Sequence, residues 1–378
     1  MNLVAWQEYD FLEVFERLRL KKYQLPKRDY SNSGKYPIVD QGKSKAVAYV
    51  DSDDPISEEL PFIVFGDHTR EIKWIDYPCF LGADGTQPLT TQECCLIKYG
   101  FYLLENTPLG SLGYSRHFSL LKEKQFALPP LPEQQKIAEI LGACDEAIEA
   151  QERLIAQKQQ RKKGLMQKLL TGDVRFPEFE GTNWKEVSIG SLLKEVKRPV
   201  AWDDDEKYKL LSLRRRSGGP FARESLYGRD IKTKTLKTVN TGDFLIAKMQ
   251  VTHGALGMVT PEFDQYKVSA SYICLVPQDP DRFDIRFFNY LSQTPYIWHL
   301  AYVASYGVTI EKMTFVPKDF IKKKILVPPT KEETTAIADF IDSLNEEIVL
   351  QKKQLEQLKQ QKKGLMQQLL TGKVRVKV

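Results

Sequence analysis

The chain has 378 residues, with 55 basic and 50 acidic side chains and a formal net charge of +5. This length suggests two or three domains, and a content of 42% hydrophobic and 28% charged residues excludes a largely disordered chain. The longest apolar runs fall far short of the roughly 18 residues that a membrane span needs. Because Met1–Glu8 also lacks the pattern of an export signal, we expect a cytoplasmic protein with no membrane partner.

Five cysteines and four histidines are scattered along the sequence. The cysteines are odd in number and show no C-x-x-C spacing, which argues against a disulfide framework and against a structural zinc site. The wide separation of the histidines argues against a catalytic metal built on histidine ligands. We therefore expect no metal site in this chain. We also expect no catalytic residues, because the sequence reveals no combination of nucleophile, base and orienting group.

Residues 1–128 are predicted to form a first mixed α/β domain. Strand-like runs occur at residues 37–39, 46–50 and 62–65, and turn-rich stretches such as residues 82–86 separate them. Loops beside these strands, and a short stretch ahead of residue 129, carry side chains suited to reading bases. We predict DNA contacts, with ordinary surface loops as the alternative, for Lys43, Ser44, Lys45, His68, Thr69, Arg70, Tyr114 and Arg116.

Residues 129–173 are predicted to form a long helix. A proline pair followed by Glu133 is a helix start signal, and Thr171-Gly172 is a stop signal. A helix of about 36 residues would be roughly 54 Å long. Steps of four and three residues, the pattern of a coiled-coil seam, connect Ile137, Leu141, Cys144, Ile148, Gln151, Ile155, Lys158, Lys162, Leu165 and Leu169.

Residues 174–327 are predicted to form a second mixed α/β domain, which begins with a Trp-x-Glu motif like the first. Strand-like runs occur at residues 244–247 and 271–276, and a helix over residues 283–300 is interrupted near Pro295. A basic run extends from Lys207 to Lys237, and its density suits phosphate neutralisation. In and beside this run, we predict DNA contacts for Arg214, Arg215, Arg216, Lys248 and His253.

Residues 328–378 are predicted to form a second copy of this long helix and a C-terminal tail. Residues 162–175 recur at 362–375, an offset of 200, with only Lys168/Gln368 and Asp173/Lys373 different. The seam recurs as Ile337, Ile341, Leu344, Ile348, Gln351, Leu355, Leu358, Lys362, Leu365 and Leu369. The repeated side chains near the helix ends are predicted either to dock a partner subunit or to pack the helices: Lys162, Lys163, Leu165, Met166, Leu169, Lys362, Lys363, Leu365, Met366 and Leu369.

Two equivalent helices with matched seams are expected to pack antiparallel about a local two-fold axis. This packing would hold two dissimilar domains apart by a fixed distance. Duplex DNA fits such an arrangement, because sites on one face of it repeat about every 34–36 Å. The geometry therefore favours a protein that reads two separated DNA half-sites.

Other functions have weaker support. Gly42-Lys43-Ser44 resembles the end of a Walker A loop, but Pro37 stands where that motif needs glycine. Asp67 with Glu71 could imitate the metal site of a nuclease, although a charged strand edge is the commoner explanation. The runner-up from another class is a coiled-coil adaptor with two protein-binding heads, which a salt titration would separate from a DNA reader.

With these features, the chain resembles the specificity subunit of type I restriction-modification systems. The resemblance covers essentially the whole chain. It rests on Leu-Pro-Pro-Leu-Pro-Glu-Gln-Gln at 128–135, on Lys-Lys-Gly-Leu-Met-Gln-x-Leu-Leu-Thr-Gly at the end of both helices, and on residues 64–70, 113–117 and 241–245.

The resemblance implies an α+β fold with two mixed α/β target-recognition domains separated by two long antiparallel coiled-coil helices, in a pseudo-two-fold internal repeat. It implies a non-catalytic subunit that recognises a bipartite, asymmetric double-stranded DNA target. It further implies that the chain scaffolds two methyltransferase (modification) subunits and the restriction subunits. S-adenosylmethionine, ATP and magnesium would belong to those partners, which leaves no cofactor in this chain.

Overall fold

The computed structural model describes residues 5–82, 84–110, 116–307 and 313–377. By their internal contacts the residues form two compact units, Met1–Leu154 with Gln351–Val378, and Ile155–Leu350. Each unit contains one mixed α/β part, called the first head (residues 5–128) and the second head (residues 174–327), together with one half of each of two long helices.

The first head consists of β1 (Gln7–Asp10), α1 (Phe11–Val14), β2 (Phe15–Arg17), β3 (Gln24–Leu25), β4 (Tyr36–Val39), β5 (Ala48–Val50), β6 (Phe62–Gly66), β7 (Ile72–Ile75), β8 (Phe80–Gly82), β9 (Thr86–Thr91), α2 (Ile97–Glu105), α3 (Phe118–Lys122) and β10 (Gln125–Leu128). Its two four-stranded sheets have the orders β2-β9-β6-β7 and β3-β8-β4-β5. Strand β1 pairs antiparallel with β10, which leads into the first long helix, α4 (Leu131–Thr171), so both ends of the head lie at the start of that helix.

The second head consists of β11 (Lys185–Ser188), α5 (Ile189–Leu192), β12 (Leu193–Val196), β13 (Lys207–Leu213), β14 (Pro220–Tyr227), β15 (Leu236–Thr238), β16 (Phe244–Ala247), β17 (Leu256–Met258), β18 (Lys267–Ser269), β19 (Tyr272–Pro277), α6 (Ile285–Leu291), α7 (Pro295–Val303), β20 (Ser305–Tyr306), β21 (Thr314–Phe315), α8 (Pro317–Phe320) and β22 (Lys324–Val327). Its four-stranded sheets have the orders β12-β19-β16-β17 and β14-β13-β18-β15. Strand β11 pairs antiparallel with β22, which leads into the second long helix, α9 (Lys331–Leu369).

The two heads share most of their sheet plan, although their central sequences do not align by inspection. One strand differs, since β3 pairs parallel with β8 whereas β15 pairs antiparallel with β18. In one sheet, β6 and β16 hold the same place, and each pairs antiparallel with the next strand, β7 or β17. In the other sheet, β4 and β13 each pair parallel with β8 or β18 and antiparallel with the following strand, β5 or β14. The β4–β5 and β13–β14 connections are therefore equivalent, and so are the β6–β7 and β16–β17 connections.

Burial explains which strands could be predicted from the sequence. Strands β6 and β16 are buried at every residue, so they appear as uninterrupted apolar runs. The predicted strands at 37–39, 46–50, 244–247 and 271–276 are also present. The predicted interruption near Pro295 is confirmed, because α6 ends before this residue and α7 begins with it, where a proline needs no backbone donor.

The long helices have 41 and 39 residues, about 61 and 58 Å. They exceed the predicted 36 residues because each begins almost directly after its proline pair. Gly172 and Gly372 follow the helix ends with φ of +78° and +71°, a left-handed backbone that favours glycine. Among the helices of the described residues, none is long and apolar enough to cross a membrane.

Within each unit the two helix halves run antiparallel. In the first unit, Gln151 Nε2 donates to the side-chain and backbone oxygens of Gln351, at 2.7 and 2.9 Å. In the second unit, Lys158 pairs with Glu347 and Arg175, just after α4, pairs with Glu333, so later residues meet earlier residues of α9. The predicted seam is confirmed by burial, since Ile137, Leu141, Ile155, Leu169, Ile337, Ile341, Ile348 and Leu369 are all buried. Burying each such side chain is worth about 1.5–3 kcal/mol.

Candidate nucleic-acid interface

Each head brings two equivalent hairpin connections together. We call them the first A-loop (residues 40–47, between β4 and β5), the first B-loop (residues 67–71, between β6 and β7), the second A-loop (residues 214–219, between β13 and β14) and the second B-loop (residues 248–255, between β16 and β17). Most of the predicted DNA-contacting residues lie in these four loops. The shared sheet plan therefore places them in matching positions of the two heads.

In the first head, Gln41 connects the A-loop to the B-loop. Its Oε1 accepts from the backbone N–H of His68 at 3.0 Å, and its backbone oxygen accepts from the hydroxyl of Thr69. Lys73 Nζ donates to two A-loop carbonyls, those of Asp40 and Ser44, both at 2.7 Å. These bonds fix the two loops side by side, with exposed side chains at Lys43, Ser44, Lys45, Thr69 and Arg70.

Arg70 has a left-handed backbone with φ of 63°, which is strained for a residue other than glycine. Its backbone N–H donates to the Gly66 carbonyl at 2.7 Å and its Nη1 donates to the Leu109 carbonyl at 3.0 Å. In the A-loop, Lys45 Nζ lies 3.0 Å from Glu149 of α4. The two cations are therefore exposed but already positioned by neighbours in their own unit.

Asp67 and Lys73 have structural roles that do not fit a nuclease site. The Asp67 side chain is buried and its Oδ1 accepts from the backbone N–H of Phe118 at 2.8 Å. Burial lowers the pKa of Lys73, against the opposing attraction of Asp40 and Glu71, and its ammonium group donates into the A-loop. Within residues 5–82, 84–110, 116–307 and 313–377, no group of His, Cys, Asp or Glu side chains could hold a metal ion.

In the second head, backbone hydrogen bonds join the A-loop to the B-loop directly. The N–H of Arg216 donates to the His253 carbonyl and the N–H of Ser217 donates to the Gly254 carbonyl, both at 2.8 Å. Arg215 Nε also donates to Gln250 Oε1 at 3.2 Å. The structure thus brings the predicted residues Arg214–Arg216, Lys248 and His253 into one surface. The three arginines are exposed, whereas Lys248 and His253 are half-buried.

Trp298 of α7 supports this junction from behind. Its Nε1 donates to Ser217 Oγ at 3.1 Å and to the Ser292 carbonyl at 2.9 Å. Its ring lies so close to Gly254 that a Cβ there would come within 3.0 Å of it. Arg216 and Ser217 hold φ values of 56° and 51°, a conformation that needs such external support.

Several cations of the second head already contact neighbouring groups and are therefore less available to bind a ligand. The Arg214 guanidinium lies 4.7 Å from the ring centroid of Phe221, and its Nη1 donates to the Pro220 carbonyl at 3.1 Å. Farther along the basic run, Lys234 pairs with Asp204 at 2.9 Å and Arg229 pairs with Asp205 at 3.2 Å. Acidic residues from the preceding loop thus offset part of the predicted basic run.

Two predicted residues of the first head fall near the end of the described regions. Tyr114 lies outside the described residues. Arg116 is exposed and is followed by the buried His117, whose N–H donates to the Asp67 carbonyl at 2.9 Å. The structure therefore places Arg116 next to a residue that is bonded to the first B-loop.

The candidates on the long helices divide by exposure. The apolar members pack within their own unit, where Leu165, Leu169, Leu365 and Leu369 are buried or half-buried, as are Met166 and Met366. Lys362 is paired with Glu105 and Asp145, both at 2.8 Å. Lys163 and Lys363 are exposed at equivalent positions. Lys162 is half-buried.

Sequence reasoning missed the residues that join the loops. Gln41, Gln250 and Trp298 carry no motif, and their roles depend on strand order. Met249, the second residue of the second B-loop, was also missed, although an apolar residue beside Lys248 and Gln250 is a visible signal. Its side chain is 71% exposed.

A family model and two related proteins all point to one protein family. A family model described as the type I restriction modification DNA specificity domain matches residues 4–157 and 182–360. The putative MjaX specificity subunit of a type I restriction enzyme from Methanocaldococcus jannaschii is 29% identical over 285 residues, which cover 68% of this chain and 61% of that protein. The MjaVIII specificity subunit from the same organism is 27% identical over 284 residues, covering 66% and 62%. The match thus spans less than two thirds of these relatives.

Solved structures show the same fold. The type I restriction-modification S subunit from M. genitalium aligns with a TM-score of 0.59 at 15% identity, covering 98% of this chain and 96% of that one. A chain from a structure of type I R-M complex assembly and conformational transition aligns with a TM-score of 0.58 at 16% identity, covering 98% and 99%. The predicted α+β architecture with two long helices is confirmed.

Proposed function

Because this chain belongs to the family of specificity subunits of type I restriction-modification systems, we propose that it recognises a bipartite, asymmetric double-stranded DNA target. In this proposal the chain is non-catalytic. The first head reads one half-site and the second head reads the other. The single observation that carries the proposal is the equivalent joining of an A-loop to a B-loop in both heads.

Preformed loops suit sequence readout. A loop that is already held in its binding geometry loses little conformational entropy when it binds. The exposed cations neutralise phosphates, and arginine can also bind guanine through two parallel hydrogen bonds in the major groove. The A- and B-loops differ in sequence between the heads, which suits two different half-sites.

The repeated helices suit a second role as a scaffold. Lys163 and Lys363 project from equivalent positions, so one kind of partner could bind twice. We assign this role to two methyltransferase (modification) subunits, with restriction subunits joining for cleavage. S-adenosylmethionine, ATP and magnesium would then be bound by those partners. The proposed recognition domains are residues 1–128 and 174–327, and residues 129–173 and 328–378 form the helical spacer and tail.

Enrichment of a randomised duplex library by the full chain tests this function. We expect a sequence with two defined half-sites around an undefined spacer, and an affinity that falls steeply as salt rises. Replacing Arg214, Arg215 and Arg216 with alanine should relax base choice in one half-site. The cost should be about 1–3 kcal/mol for each arginine that binds a base through two hydrogen bonds.

A matched control removes three exposed cations of the same unit outside the loops: Lys318→Ala, Lys322→Ala and Lys324→Ala. This variant should keep both half-sites. Enrichment of no defined sequence, or an affinity that salt does not change, would refute DNA recognition and favour a protein-binding adaptor. Equal reductions of affinity in both variants would show that the arginines act only through net charge.

A further inference from the structure

Met249 is more exposed than any other large apolar side chain in the described part of the chain. Its exposed fraction is 71%, whereas Leu12 and Val349 follow at 66% each. Leaving a methionine in water forgoes the roughly 1.5–3 kcal/mol that burial of such a side chain contributes. The exposure is therefore a feature that folding alone does not favour.

The backbone around Met249 is well held, so its exposure does not come from a loose loop. The N–H of Lys248 donates to the Ser271 carbonyl and the N–H of Gln250 donates to the Ala247 carbonyl, each at 3.0 Å. Val251, two residues beyond, is buried in the core of the second head. The loop thus presents the methionine side chain outward on a fixed support.

The surroundings of Met249 are cationic and polar. Lys248 and Gln250 flank it in sequence, and Arg215 donates to the Gln250 side chain at 3.2 Å. An apolar protein surface would have to desolvate these charges to reach the methionine, which is costly. A nucleic acid has the required combination, because its phosphates complement the cations and its base edges include one apolar group, the 5-methyl group of thymine.

We propose that Met249 is a specificity-determining residue of the second head and that it contacts the 5-methyl group of a thymine in the major groove of the DNA. The assignment rests on the proposed DNA recognition. Gln250, held by Arg215, keeps its amide donors for a neighbouring base edge or phosphate. Met249 therefore favours thymine over cytosine and uracil at one position, where the arginines alone would not.

The first head supplies an internal control. Its B-loop, residues 67–71, contains no exposed large apolar side chain, and His68, Thr69 and Arg70 occupy its tip. The change in binding affinity caused by removing a thymine methyl group from the first half-site should thus be the same with and without Met249.

The test exchanges each thymine of the enriched target for uracil, one position at a time, and measures binding by the full chain and by Met249→Ala. Uracil lacks only the methyl group and keeps the base pair. For the wild-type chain we expect about a fourfold loss of affinity at one position of the second half-site, the equivalent of one buried methyl group. Met249→Ala should bind the thymine and uracil targets equally at that position, and Met249→Leu should restore part of the difference.

Leu12→Ala is the matched control, since it removes an apolar side chain of similar exposure outside the four loops and should keep the uracil penalty. A penalty that persists in Met249→Ala would refute the inference while leaving DNA recognition intact. The absence of any uracil-sensitive position in the second half-site, or of thymine from it, would refute it equally. Failure of the wild-type chain to select any target would instead refute the proposed function.

Discussion

The two units hold their long helices with the same ion pair. In the first unit, Arg375, just after α9, binds Glu133 in the first turn of α4 at 2.7 Å. In the second unit, Arg175, just after α4, binds Glu333 in the first turn of α9 at 2.7 Å. The glutamate side chains are only 3% and 1% exposed. In each unit this ion pair, called the closing pair, thus joins the segment that follows one long helix to the start of the other.

The contacts between each head and the helices differ more. In the first unit, Tyr102 donates to Asp145 at 2.7 Å, and Lys362 supplies the positive charge beside them. In the second unit, Tyr290 donates to Asp342 of α9, but the cation beside them is Arg286, which belongs to the head itself. Arg286 pairs with Asp284, Asp339 and Asp342.

The internal repeat constrains the sequence at the ends of the long helices more than it constrains the loops of the heads. The repeated segments carry both members of each closing pair, since the glutamates lie in the first turns of the long helices and the arginines lie just after the helix ends. The A- and B-loops carry no member of a closing pair and have diverged to Lys43-Ser44-Lys45 in one head and Arg214-Arg215-Arg216 in the other. Differences between the heads should therefore affect DNA choice, and differences in the closing pairs should affect stability.

Breaking the closing pairs should have the largest effect on stability. Arg375→Ala removes the cationic partner of the buried Glu133, and removal of one member of a buried pair costs about 3–5 kcal/mol. Arg175→Ala should cost a similar amount through Glu333. Urea unfolding of both variants measures these costs.

Arg153→Ala is the control for the closing pairs, because its pair with Glu149 is exposed at 67% and 50% of the two side chains. It should change stability by less than about 0.5 kcal/mol. A large cost in only one of Arg375→Ala and Arg175→Ala would contradict the equivalence of the two units.

Local pattern was enough to predict the long helices, their seam and several strands. The seam has a period of 3.5 residues and each helix has its own start and stop signals, so the information lies within about 40 residues. The loops that carry Arg214–Arg216 and His68–Arg70 were likewise visible as cations beside apolar runs.

The contacts that join distant parts of the sequence within each unit could not be predicted from local pattern. Arg375 and Glu133 are 242 positions apart, and the hydrogen bond from His68 to Gln41 depends on the order of strands in two sheets. Pairing of this kind is set by packing of the whole unit, which no window of sequence contains. Asp204 and Asp205, which pair with Lys234 and Arg229, lie before the predicted basic run and so were not counted with it.

Replacing the polar pair in the helix seam should have an intermediate effect on stability. Gln151 is buried, and it donates to Gln351 at the same position of the other repeat. Replacing both residues with leucine removes two polar groups together, which is nearly neutral or stabilises by about 1 kcal/mol. The leucine seam should also specify the helix register less strictly, because a buried polar pair penalises shifted packing.

Urea unfolding and hydrogen exchange over residues 351–369 test the seam. We expect equal or higher global stability together with faster exchange in this helix half. A double variant that loses more than about 2 kcal/mol would show that the pair contributes stability itself and does not mainly fix register. Leu154→Ala, on the exposed side of α4, is a control that should leave exchange unchanged.

The smallest expected effect is a loss of stability at alkaline pH. It should distinguish the first unit, which contains Lys362, from the second unit, which contains Arg286. Burial opposes the charge of Lys362, but hydrogen bonds and attraction from Asp145 and Glu105 outweigh it and raise its pKa. A raised pKa stabilises the fold below the unfolded value of about 10.4, and this contribution is lost as pH rises through the folded value. Arg286 stays charged throughout this range, so only the first unit should weaken by this route.

Lys362→Arg tests this difference between the units, since it replaces the titrating group with one that keeps its charge. Thermal unfolding between about pH 9 and pH 11 should show a smaller loss of stability in Lys362→Arg than in the wild-type chain. The difference should be modest, because the burial of Lys362 and the attraction of its two carboxylates oppose each other. Identical pH profiles for the two proteins would show that Lys362 is held by packing on Tyr102, whose ring centroid lies 5.1 Å from its Nζ, and not by charge.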